Sequence, residues 1–192
     1  MGLGASPLQA LVNRPLPDGF DAGVAPGWRT CYGSPMSIPF QLDATDWRIL
    51  RELQRDGRIT NVELAQRVGL SPPPCLRRLQ ALEKSGAIAG YRAVLNGPLL
   101  GYGVQLFAMV GLKSQADAEL KAFEARIAGW PLVREAYAIS GEADFLLKLV
   151  GSDLAALQDF IIQDLTAAAH VENVRTTLIM RVSKYQPGIP IP

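Results

Sequence analysis

Apolar and polar positions fall into three short helical periods between Asp43 and Lys84. In the first, Trp47, Ile49, Leu50 and Leu53 form an apolar stripe behind Asp43, and Asp56-Gly57-Arg58 closes the run, which predicts a helix over about 44–55. Thr60, followed three residues later by Glu63, is a capping box that opens a second helix with Leu64, Ala65 and Val68 inward. Gly69 makes the turn. Ser71 is placed to cap a third helix, with Pro72 at its first position, where a missing N–H costs nothing. Pro73 and Pro74 fall in the same first turn, whose amides lack intrahelical partners.

Along the third helix Leu76, Leu79 and Leu82 are expected inward, with Cys75 and Glu83 at the flanks of that stripe. The opposite face then carries Pro73, Pro74, Arg77, Arg78, Ala81 and Lys84. Such a face is small and basic, suited to a major groove. Gly86 stops the helix, and Ile88 to Leu95 with the turn pair Asn96-Gly97 reads as a hairpin wing, with Arg92 placed to touch phosphate. Helix, glycine turn and a capped helix with a basic outer face is the layout of a helix-turn-helix DNA reader.

After Pro98 the period changes. Val104 to Leu112 alternates as a strand, Asp117 to Ala128 is a helix with Leu120, Phe123 and Ile127 inward, and Val133–Ile139 and Phe145–Val150 are strands. Leu154, Leu157, Ile161 and Leu165 stripe a second helix, and Val171 to Val182 is the last strand. The order βαββαβ predicts an α+β protein: an N-terminal winged helix-turn-helix, then a ferredoxin-like sandwich with both helices on one sheet face. In the first strand Val104, Leu106, Ala108 and Val110 alternate with Gln105, Phe107, Met109 and Gly111, so both sheet faces are largely apolar. Two apolar faces in so small a domain call for a partner, most simply a second copy.

The domain plan is therefore a DNA-binding unit at 41–95, a linker at 96–103, a sandwich at 104–184 and a proline-rich tail at 185–192. Residues 1–40, with recurrent Gly and Pro and no sustained period, read as disordered or as an extension ahead of a true start at Met36.

Composition adds little except in its distribution. The net charge is +1, yet bases exceed acids by three between Gln41 and Leu95, while acids exceed bases by two from Asn96 onward. Two cysteines, Cys31 and Cys75, lie in segments of unlike character, which argues against a structural disulfide. Cys75 flanks a leucine stripe and is expected as a small buried hydrophobe rather than a redox switch. No apolar run reaches the roughly 20 residues of a membrane helix, and no secretion signal is visible, so the expected setting is cytoplasmic, on the nucleoid. A single histidine, His170, leaves no His-rich metal site, and no metal or cofactor is expected.

The runs Asp56-Gly57-Arg58-Ile59-Thr60-Asn61-Val62-Glu63-Leu64, Val68-Gly69-Leu70-Ser71-Pro72-Pro73-Pro74-Cys75-Leu76 and Gly90-Tyr91 resemble the Lrp/AsnC family of bacterial regulators, nearest its leucine-responsive branch. Ser140-Gly141-Glu142-Ala143-Asp144-Phe145-Leu146-Leu147-Lys148 resembles that family's effector loop, and the likeness covers about residues 41–184. It implies a transcription regulator, not an enzyme, that binds double-stranded DNA and pairs into homodimers that often assemble into higher rings, with the octamer as one such state. It also implies a small effector, commonly an amino acid, held near Gly141 and Asp144, with Ser140 and Glu142 beside them. Ala143 stands where many relatives carry a bulkier residue. Two other uses of this architecture stand beside it: an effector-independent, nucleoid-like architectural protein, and a tetrapyrrole-decarboxylating enzyme, for which His170 is the one histidine on offer.

Overall fold

The computed structural model describes residues 41–191; the leading segment, with Cys31, lies outside them. The chain divides into two compact units, one holding the three N-terminal helices and the tail from Tyr185, the other running from Leu95 to Lys184.

In the first unit α1 (Ala44–Arg55), α2 (Asn61–Val68) and α3 (Pro72–Lys84) pack around Ile49, Leu64, Ala65, Val68, Cys75 and Leu82. Each fully buried aliphatic side chain here is worth about 1.5–3 kcal/mol. Gly69, at φ +74°, takes the left-handed conformation that turns α2 into α3. Cys75 is wholly buried, at the centre of the inward stripe of α3, and Leu76, expected inward, is 42% exposed. The inward spacing of Cys75, the half-buried Leu79 and Leu82 holds one face of a helix, and Leu76 lies about 100° round from its centre.

No strand pair forms between Ile88 and Gly97, so the expected hairpin wing is absent as a hairpin. A two-residue Asn-Gly turn needs the next residue to donate across to the first strand, and that residue is Pro98, which has no N–H. Asn96 instead opens a 3₁₀ turn over Pro98–Leu100, its side chain accepting the Leu99 N–H at 3.1 Å. The wing segment is held at Tyr91, whose hydroxyl donates to Glu83 at 2.9 Å. Burial, then the Glu83 carboxylate, pushes that phenol up to about 12. From the tail, the Ile189 N–H and C=O pair with both ends of the Gln54 amide on α1, at 3.1 and 2.9 Å.

The second unit runs β1 (Val104–Leu112), α4 (Asp117–Ala128), β2 (Val133–Ala138), β3 (Phe145–Gly151), α5 (Leu154–Phe160) and β4 (Val171–Leu178). The sheet order is β2-β3-β1-β4, antiparallel throughout, as the ferredoxin-like pattern requires. Leu106, Ala108, Val110, Phe145, Leu147 and Leu149 are buried beneath both helices, where Phe123 packs edge-on against Trp130 and tilted against Phe145.

Two expectations shift in detail. The second helix widens into a π turn over Ile161–Leu165, closed by the Thr166 N–H on the Ile161 carbonyl. Phe160 and Leu165 are five residues apart and both buried, a spacing that the wider turn keeps on one face. Strand β4 stops at Leu178 rather than Val182, because Leu178 faces Leu106 and β1 begins only two residues earlier. The other sheet face presents Phe107, Met109, Leu146 and Val150, all half-buried.

Candidate DNA interface and effector loop

Ser71 stands at the N-cap of α3 with extended backbone, and its hydroxyl makes no capping hydrogen bond. A capping hydroxyl accepts from the second or third helical N–H, and here those residues are Pro73 and Pro74, which have none. The expected side-chain cap is thus chemically excluded, and backbone amides of the first three positions cannot receive phosphate either. Order in this turn comes from elsewhere: the Cys75 N–H reaches the Ser71 carbonyl at 3.3 Å, and the Asn61 Nδ2 of α2 donates to the Pro72 carbonyl at 2.9 Å. Ser71, Pro73, Arg77, Ala81 and Lys84 are exposed, with Pro74 half-buried, so the outer face is much as its sequence spacing implied. Arg77 has no hydrogen bond or ion pair among the described residues and lines an open depression of about 450 Å³ with Asp46, Leu70, Pro74, Arg78 and Ala81. Arg92 is exposed in the segment that lacks strand pairing.

Arg78 behaves differently from its neighbour. Its Nη1 donates to Asp43 Oδ2 at 2.7 Å and to Asp46 Oδ1 at 2.8 Å. Asp43 Oδ1 meanwhile accepts the Thr45 and Asp46 N–H groups, and Asp46 Oδ2 accepts the Asp43 N–H, closing the capping box of α1. The Asp46 N–H leads in holding the Asp43 carboxyl below the ordinary carboxylate range, with Arg78 adding to it. Asp46 is 5% exposed and was not anticipated as a functional group. The signal was present: an acid three residues ahead of Ile49, on the stripe that faces inward.

In the second unit the loop Ser140–Asp144 joins β2 to β3. Gly141 has φ +143°, a conformation that side chains resist, and there is open space where a Cβ would stand. Asp144 Oδ2 accepts the Leu112 N–H at 2.7 Å, Oδ1 accepts from the Gln115 side chain at 2.8 Å, and its own N–H reaches the Val110 carbonyl at 2.9 Å. The carboxylate therefore builds the loop onto the end of β1. Glu142 is exposed and lies 3.3 Å from Arg175 in an ion pair too exposed to add much stability, and Ser140 is exposed. Gln115 and Arg175 were not foreseen; both lie far from the loop in sequence.

Comparison with known proteins agrees with both halves. A winged helix-turn-helix DNA-binding family matches residues 42–89, and the Lrp/AsnC ligand binding domain matches residues 105–189. The leucine-responsive regulatory protein of Rhizobium meliloti (strain 1021) is 61% identical over 149 residues, 78% of this chain and 96% of that protein. Its counterpart in Escherichia coli (strain K12) is 38% identical over 143 residues, 74% of this chain and 87% of that one. Among solved structures, a transcriptional regulator from Neisseria meningitidis in complex with L-Met superposes with a TM-score of 0.76 at 37% identity, covering 78% of this chain and 97% of that one. A helix-turn-helix joined to a ferredoxin-like ligand domain defines a ligand-responsive transcription factor. The chain belongs to the Lrp/AsnC family of transcriptional regulators, which are not enzymes. Its partners accordingly include DNA and a small-molecule effector. Among the described residues no helix is long and apolar enough to cross a membrane.

Proposed function

We propose that this regulator reads a specific operator through α3 and that an amino acid held at the Gly141–Asp144 loop alters its DNA affinity or its assembly. The observation that carries the DNA half is Arg77, exposed and unpaired among the described residues on a face flanked by Ser71, Pro73, Pro74 and Lys84. A forked guanidinium with all its donors available suits a guanine edge or a phosphate, and Arg92 adds a phosphate contact from the wing segment. Support for the effector half is the solved relative bound to L-Met, together with a loop whose acid and glycine are held in fixed geometry. Ser140 and Glu142 are the loop's exposed polar groups, the hydroxyl available to a ligand's carboxylate and Glu142 able to exchange its exposed pair with Arg175 for a ligand's ammonium.

A second copy of the chain covers Phe107, Met109, Leu146 and Val150, giving a homodimer that can build toward octamers on the nucleoid. The test is a gel-shift comparison of a selected duplex with random DNA, with and without each of the twenty amino acids. Arg77→Ala is expected to weaken the selected duplex by about 1–3 kcal/mol. Equal affinity for selected and random DNA, indifferent to every amino acid, would instead identify an architectural protein.

A further inference from the structure

We propose that Arg78 is not a DNA-contacting residue but the positioning residue that fixes the angle of the reading helix, through the paired carboxylates of the α1 cap. The inference rests on the DNA-reading role of α3. Each carboxylate in the cluster is divided between two tasks. Asp43 turns Oδ1 to its own helix amides and Oδ2 to Arg78, while Asp46 turns Oδ2 to the Asp43 N–H and Oδ1 to Arg78. One guanidinium nitrogen thus clasps the start of α1 to the middle of α3, 32 to 35 residues further along.

Burial decides what the clasp is for. The Asp46 side chain is only 8% exposed, whereas that of Arg78 is 38% exposed. A nearly buried carboxylate calls for a cationic partner, and withdrawing Arg78 to reach a phosphate would strip Asp46 Oδ1 of its one hydrogen bond, leaving only the Asp43 N–H on Oδ2. Arg77, one residue and about 100° further round the helix, carries no such obligation. The adjacent arginines divide the work: Arg77 is available to DNA, and Arg78 holds the helix that presents it.

The test uses the full chain, a duplex selected by the protein from random-sequence DNA, and random DNA as reference, each titrated across salt. A phosphate contact contributes about 0.9 to the slope of log affinity against log salt. Arg78→Ala is expected to leave that slope unchanged while lowering the selected-to-random ratio about tenfold, the worth of one base contact. Asp46→Asn, which leaves Arg78 in place, is expected to lower the ratio in the same way, and the double variant to be no worse than either single one. The opposite outcomes overturn the proposal: a slope reduced by about 0.9 in Arg78→Ala, or tighter DNA binding in Asp46→Asn, as release of a competing acid would give. Should Arg78→Ala not fold, Arg78→Met keeps the packing of the stem but has neither a donor for the two carboxylates nor a charge for phosphate. A fallen ratio at unchanged slope then supports the clasp, and an unchanged ratio overturns it. A wild-type protein that did not prefer its selected duplex would sink the regulator reading alone. The slope of Arg78→Ala on random DNA would still decide whether Arg78 touches phosphate.

Discussion

The carboxylate of Asp144 accepts the Leu112 N–H at 2.7 Å, so an acid expected to meet an effector is first a brace between the start of β3 and the end of β1. Asp144→Ala removes the acceptor for a half-buried amide and is expected to destabilise the sandwich by about 1–3 kcal/mol in urea unfolding. Asp144→Asn keeps an acceptor for Leu112, and the Gln115 amide can turn to meet the new NH₂ group. Its urea midpoint should lie close to the parent's. If the negative charge also receives an effector's ammonium, Asp144→Asn will abolish the thermal shift given by leucine or methionine. A retained shift would confine Asp144 to the structural role.

Acid should loosen the DNA-binding unit through Asp43. Its folded carboxyl titrates below the ordinary aspartate value of 3.8 because the Asp46 N–H, and then Arg78, favour the ionised form. A depressed value stabilises the fold fully above 3.8, and that contribution fades as pH falls through the folded value. Asn is nearly as good an N-cap as Asp but carries no charge. Unfolding followed from neutral pH down to about pH 3 should therefore show a smaller acid loss in Asp43→Asn than in the parent.

Gly151, at the end of β3, leaves room for a core leucine. A Cβ there would lie 2.7 Å from Leu157 Cγ, and Leu157 is fully buried. Gly151→Ala is expected to cost about 1–3 kcal/mol by overpacking. Combined with Leu157→Ala, the denaturation cost should fall short of the sum of the single variants, since the second change opens the space the first one needs.

Cys75 is fully buried at the helix-turn-helix core, and that burial pushes its thiol up. In a Cys31→Ser background, a thiol reagent should find Cys75 unreactive until the protein unfolds. Cys75→Ser should cost about 1–3 kcal/mol for a buried hydroxyl without a partner. Thiol reactivity in the native state, with loss of DNA binding, would restore the redox switch.

Element types and their order follow from signals local to the chain. Caps at Asp43 and Thr60, the turn at Gly69 and the alternation of β1 act over a few residues, so each is written where it operates. Spacing also placed Arg77 and Lys84 on the outer face of α3, and the loop Ser140–Asp144 between β2 and β3. Local rules failed where a neighbour removed a donor: Pro73 and Pro74 silence the Ser71 cap, and Pro98 closes the hairpin route. Pairings across long separations come instead from the packing of distant elements. Arg78 and Asp46 stand on different helices, Asp144 and Gln115 on loops 29 residues apart, and Gln54 meets Ile189 across 135 residues. No periodicity encodes such contacts, because they arise only once two packed surfaces bring their polar groups within about 3 Å of each other.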